Sequence, residues 1–234
     1  MIPISDDNPA RGPAVVTWTL IALCVAAYLW ERSLGREMSA ALLALGFIPA
    51  AYFSPAAAET AGLMPPWLTI FSSMFLHGGL LHLAGNMLYL WIFGNNVEDA
   101  MGHGRFLLFY LVCGTAAALA MAYIDPASRV PMIGASGAIS GVLAAYVLLY
   151  PRSRVTVIVP LGIIFYPFAI AAMWVVGFWF LLQLISAGLA APGQPGTAWW
   201  AHVGGFIAGL LLTPIAKARD VPLFGRHSRG PWDR

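Results

Sequence analysis

Charge is scarce in this sequence. Asp, Glu, Lys and Arg together make up 9% of its 234 residues, against 60% that are apolar; a soluble domain carries about 25% charged residues. So few charges cannot cover a water-facing surface, which excludes an ordinary soluble domain and leaves an integral membrane protein of one domain. Cysteine is scarcer still. Cys24 and Cys113 both lie in apolar runs, a pattern of core packing that offers neither a disulfide framework nor metal-ligand spacing. The His-Glu-x-x-His pattern of zinc proteases is absent. No aspartate lies inside an apolar run, as an intramembrane aspartyl protease would require, and acidic proton-relay residues are missing as well. The opening "MIPISDDNPARGP" lacks the basic patch of a secretory signal, so the first apolar segment is expected to stay as an anchor. The net charge of +2 points to no nucleic acid, because the basic residues cluster at the ends of spans and in the tail.

What the sequence has in quantity is long apolar runs. A bilayer core needs about 20 mostly apolar residues per helix, and six spans are predicted: Pro13–Trp30, Leu80–Val97, Arg105–Tyr123, Ala135–Tyr150, Phe168–Leu189 and Ala198–Ala216. The expected fold is an all-α membrane protein, a six-helix bundle over residues 13–216. A cytoplasmic segment (1–12) precedes it and a basic cytoplasmic tail (217–234) follows. The fourth span is short, which suits a buried central helix starting below the membrane surface. Between the first two spans, "SAALLALGFIPAAYF" and the prolines at 49, 55, 65 and 66 predict short helices and turns lying in the interface. A second insert, "RVTVIVPLGIIFYP", is too short to cross and is also expected at an interface. With six spans, one side collects Arg11, Arg105, Arg152, Arg154, Lys217, Arg219, Arg226, Arg229 and Arg234, the other Arg32, Arg36 and Arg129. That excess puts both termini in the cytoplasm.

Four polar residues at membrane depth call for a reason: His82, Asn86, Ser136 and His202. His82 and Asn86, four apart, share one helix face and on their own read as interhelical hydrogen-bonding groups. Ser136 opens the fourth span, where unpaired N–H groups and the helix dipole favour an anion; alone it reads as a cap or a small packing residue. His202 opens the sixth span. Gly205 and Gly209 behind it match Gly137 and Gly141 behind Ser136, and such small-residue faces let helices approach closely in lipid. If the faces meet, Ser136 and His202 come within hydrogen-bond reach. The even-numbered spans run parallel, so all four residues share one depth near the extracytoplasmic end. A nucleophile, a base and oxyanion donors are the parts of an acyl-transfer site. With no carboxylate inside a span, the expected arrangement is a Ser–His dyad without a third member.

The motifs "HGGLLHLAGN" (His77, His82, Asn86), "FGNNVEDAMG" (with Glu98 in the loop after the second span), "GASG" (Gly134 to Gly137) and "AHVGG" (Ala201 to Gly205), in this order over six spans, resemble the rhomboid family of intramembrane serine proteases. The resemblance runs from about Phe47 to Pro214. It implies a nucleophile at Ser136 and a general base at His202, with His82 and Asn86 at the oxyanion. His77, Gly134 and Gly137 would support the site. It further implies single-span transmembrane substrates cleaved near their outer ends, the lipid bilayer as surroundings, and no cofactor or metal. Where many members carry Trp-Arg in the first loop, Trp67 is followed here by Leu68. The fifth span's aromatic residues, Trp174, Phe178, Trp179 and Phe180, suggest a lateral gate against the second span. The compact six-span build points to a bacterial inner membrane. An alternative within the same fold is an inactive relative that binds transmembrane helices, although a pure binder needs neither Ser136 nor His202. A small-molecule transporter would show paired broken helices and internal symmetry, which are not visible.

Overall fold

The computed structural model describes residues 2–10, 12–54, 64–161, 164–191 and 196–225. Arg11, Pro55, Arg226, Arg229 and Arg234, used above in placing loops and charges, lie outside the described residues. Nine α-helices are described: α1 (Val15–Ser33), α2 (Met38–Leu45), α3 (Pro49–Phe53), α4 (Pro66–Ser72), α5 (Leu80–Met101), α6 (His103–Ile124), α7 (Ser136–Leu149), α8 (Ala172–Leu189) and α9 (Trp199–Ala216). The six expected spans correspond to α1 and α5 to α9. Four of them, α1, α6, α8 and α9, are long and apolar enough to cross a bilayer by themselves. α5 has 22 residues but is more polar, carrying His82, Asn86, Asn95, Asn96, Glu98 and Asp99.

α7 has only 14 residues. At about 1.5 Å per residue it spans roughly 21 Å, short of a hydrocarbon core of about 30 Å. It does not need the full length, because it packs against α5, α6, α8 and α9 and 11 of its 14 residues are buried. The small-residue faces meet as expected. A Cβ added to Gly205 would collide with the Gly137 carbonyl, and one on Gly209 with the Gly141 backbone, so α7 and α9 touch backbone to backbone.

The described residues of the first loop form short helices and turns, as expected. Phe47 and Met132 exchange backbone hydrogen bonds (3.0 and 2.7 Å), Ala50 N–H donates to the Ser128 carbonyl, and the Ser72 hydroxyl donates to the Leu45 carbonyl. The first three bonds staple the loop to the segment leading into α7, and the Ser72 bond closes the loop on itself.

The helical bundle carries one addition that was not expected. The insert after α7 forms an antiparallel hairpin, β2 (Arg154–Leu161) and β3 (Ile164–Ala171), and the N-terminal residues add β1 (Ile2–Asp6) on the outer side of β2. Val155 and Val157 are buried. Phe168 to Ala171, expected in the fifth span, therefore belong to β3, and α8 begins only at Ala172. α5 is longer than expected and includes Glu98, so that residue is helical and not in a loop. Its carboxylate accepts the Val16 and Thr17 N–H groups (both 2.8 Å) and the Thr17 hydroxyl (2.7 Å), fastening the start of α1.

Candidate active site

The approach to α7 is fixed by Gly134. Its φ is +118°, and a Cβ there would overlap the His82 ring; both the backbone conformation and the space demand glycine. Its N–H donates to the Ser73 carbonyl (2.8 Å). Ser136 follows as the first residue of α7. The first helical acceptor in this turn is used by Ile139, whose N–H reaches the Ala135 carbonyl, so the N–H groups of Ser136, Gly137 and Ala138 have no acceptor within the helix. Ser140 is a packing residue, its hydroxyl donating to the Ser136 carbonyl (2.7 Å).

His202, in the first turn of α9, is buried, and its Nε2 lies 2.8 Å from Ser136 Oγ. The close α7–α9 packing brings them together. The other ring nitrogen, Nδ1, lies 2.8 Å from the side-chain oxygen of Gln183 on α8. The Trp179 and Trp199 rings stand 6.0 Å from the imidazole centre, on α8 and α9. Gln183 was missed by sequence reasoning, although a polar side chain inside an apolar run is the same signal that singled out the other four.

On the far side of Ser136, the Asn86 side-chain amide donates to His77 Nε2 (3.0 Å), while His77 Nδ1 donates to the Phe75 carbonyl (3.1 Å). The His77 and His82 rings are 5.1 Å apart. Burial, reinforced by His82, pulls the His77 pKa down to about 4, so His77 is neutral at pH 7 and its Nε2 is free to accept. A cavity of about 680 Å³ connects the parts, lined among others by His82, Asn86, Gly134, Ser136, Gly137 and His202. His77 is fully buried and stands behind Asn86, outside the lining.

Carboxylates at the ends of spans are buried all the same. Glu31 and Glu98 sit at span ends yet are 0% and 1% exposed. Glu31 accepts the His77 backbone N–H with both oxygens (3.1 and 3.3 Å), and so anchors the segment carrying His77 from the end of α1. Glu98 lies at the opposite end of the bundle. The expected gate aromatics divide: Trp174 and Phe178 are exposed, whereas Trp179 and Phe180 turn toward Phe206 on α9. Trp179 and Phe180 thus pack on the sixth span, and Trp179 also lines the cavity shared with Asn86 and Tyr89 of the second. Among the described residues, no group of three His, Cys, Asp or Glu could hold a metal ion.

Residues 65–219 match the model of the Rhomboid domain. The chain is similar to "Rhomboid protease GluP" of Bacillus subtilis (strain 168), 32% identical over 163 residues, which are 69% of this chain and 28% of that protein. It is similar to "Rhomboid protease GlpG" of Salmonella paratyphi A, 26% identical over 205 residues, 86% of this chain and 62% of the relative. It also resembles "Rhomboid protein 1, mitochondrial" of Saccharomyces cerevisiae, 32% identical over 96 residues, 39% of this chain and 28% of that protein. The chain thus spans between about a quarter and three fifths of these relatives' length.

Proposed function

This chain belongs to the rhomboid family, and from that membership we propose that it is an intramembrane serine endopeptidase working through Ser136 and His202. Its substrates are single-span transmembrane proteins, cut near the extracytoplasmic face of a bacterial inner membrane with both termini of the enzyme in the cytoplasm. The observation that carries the reading is the 2.8 Å contact between Ser136 Oγ and His202 Nε2 at the wall of a 680 Å³ cavity.

His202 Nε2 takes the Ser136 proton as Oγ attacks the scissile carbonyl carbon, and the C=O electron pair moves onto oxygen. The oxyanion is held by the Ser136 N–H with help from Asn86 and His82. When the tetrahedral intermediate collapses, the C–N bond breaks and the imidazolium returns its proton to the leaving amine. Water, deprotonated by His202, then attacks the acyl-enzyme and releases Ser136 with its proton restored. Gly134 and Gly137 keep the wall beside the nucleophile free of side chains, so an extended substrate backbone can reach it. No step calls on a cofactor or a metal.

The test is labelling of the solubilised protein with a fluorophosphonate probe. Wild type is expected to label, and Ser136→Ala and His202→Ala are not. A folded wild type that stays unlabelled, or labelling that survives Ser136→Ala, would replace this reading with that of a helix-binding relative.

A further inference from the structure

Both ring nitrogens of His202 have partners, and the second partner sets what the first can do. Gln183 is buried, and its side-chain nitrogen donates to the Trp179 carbonyl at 2.9 Å. A carbonyl only accepts, so the amide nitrogen must face Trp179 and the amide oxygen must face His202. An amide oxygen also only accepts, so His202 Nδ1 carries the hydrogen. Nε2 is then bare, and it is the nitrogen 2.8 Å from Ser136 Oγ. The bonds run with one polarity: Ser136 O–H to His202 Nε2, His202 Nδ1–H to Gln183, Gln183 N–H to Trp179. If Gln183 were replaced by an apolar side chain, the imidazole could place its hydrogen on Nε2 and could not accept from the serine.

We propose that Gln183 is the positioning residue of the dyad, completing a Ser–His–Gln arrangement. It fixes the tautomer and the plane of His202 and turns an amide dipole toward the positive charge that develops there during attack. This rests on the Ser136–His202 reading given above. An amide suits the location, because a carboxylate in the same place would be an unpaired charge at membrane depth whenever His202 is neutral. The cysteine proteases of the papain type likewise complete their site with an amide. Gln183 is carried by α8 and His202 by α9, so the base is correctly oriented only while α8 is packed against α9.

The experiment measures the fluorophosphonate labelling rate from pH 5 to 9 for wild type, Gln183→Leu, Gln183→Glu and His202→Ala, with thermal melts of each. Gln183→Leu is expected to keep its fold and label at least about 10-fold more slowly, since loss of a histidine's orienting partner costs about 10- to 100-fold at metal-bound histidines and about 10⁴-fold in a serine-protease triad. Gln183→Glu is expected to recover most of the rate and to move the acid limb to higher pH, because a carboxylate favours the imidazolium. His82 and Tyr89 on α5 are the other titratable side chains lining the cavity, and both are unchanged in these variants. A Gln183→Leu protein labelling at the wild-type rate with the same acid limb, while His202→Ala is silent, overturns the positioning role alone. Should Gln183→Leu not fold, Gln183→Glu decides: an unmoved acid limb overturns the role and an upward shift supports it. Wild type and His202→Ala labelling alike would instead overturn the dyad, and the role of Gln183 with it.

Discussion

Asn86 has two amide hydrogens, and His77 takes one of them (3.0 Å). Asn86 also lines the cavity that holds Ser136, so its amide is available to an oxyanion there. His77 sets the direction: neutral, with Nδ1–H on the Phe75 carbonyl, it can only accept at Nε2. Loss of one oxyanion donor costs about 10²–10³ in kcat. Asn86→Ala is therefore expected to lose that much in kcat on a transmembrane reporter substrate while KM stays nearly constant. A rise in KM with kcat untouched would make Asn86 a substrate-binding residue instead. Ser136, His202, His82 and Asn86 were legible in the sequence because each is a polar group inside an apolar run. Gln183 gives the same signal in weaker form, since no motif surrounds it and a lone glutamine also reads as interhelical glue. Glu31 was not legible. At a span end a carboxylate normally faces water, and only the fold of the first loop over the end of α1 encloses it.

At the scale of elements, the helices follow from hydrophobic length, and the α7–α9 contact follows from Gly137, Gly141, Gly205 and Gly209. The sheet does not. The β-branched run Val155–Val159, polar only at Thr156, is too short for its period to separate a strand from a buried helix segment, and β1 finds its partner about 150 residues along the chain, where no local pattern points. β1 also makes a titratable contact with α7, where the Tyr146 hydroxyl donates to the Asp6 carboxyl group. Burial, with a smaller contribution from Asp7 and against the Tyr146 hydrogen bond, raises the Asp6 pKa from 3.8 to about 6. The folded strand thus holds its proton to higher pH than the free chain does. The associated stability is complete below pH 3.8 and is lost as pH rises through about 6. Hydrogen exchange of the β1 amides, corrected for intrinsic rates, should show better protection at pH 5 than at pH 7.5, and Asp6→Asn should remove the difference. A pH dependence that survives in Asp6→Asn would assign it to another group.

The whole molecule is polar in its layout. The sheet, the α5–α6 turn and the chain after α9 gather at one end, tied by Ala218 N–H to the Ala100 carbonyl and Phe224 N–H to the Leu148 carbonyl. The first loop, the segment before α7 and the starts of α7 and α9 gather at the other, with Ser136 and His202. Among the described residues the first end holds Arg105, Arg152, Arg154, Lys217 and Arg219, and the second holds Arg32, Arg36 and Arg129. Basic residues are retained on the cytoplasmic side, so under the proposed function the excess is expected to orient the cavity, with Ser136, away from the cytoplasm. This orientation is directly measurable because Cys24 and Cys113 are both buried and give little background to a thiol reagent. Arg36→Cys and Arg152→Cys place single exposed thiols at opposite ends of the bundle. A membrane-impermeant maleimide added to intact cells is expected to label Arg36→Cys at once and Arg152→Cys only after the membrane is opened. The reverse order would turn the molecule over, bring Ser136 to the cytoplasmic face, and require substrates to be cut at their inner ends.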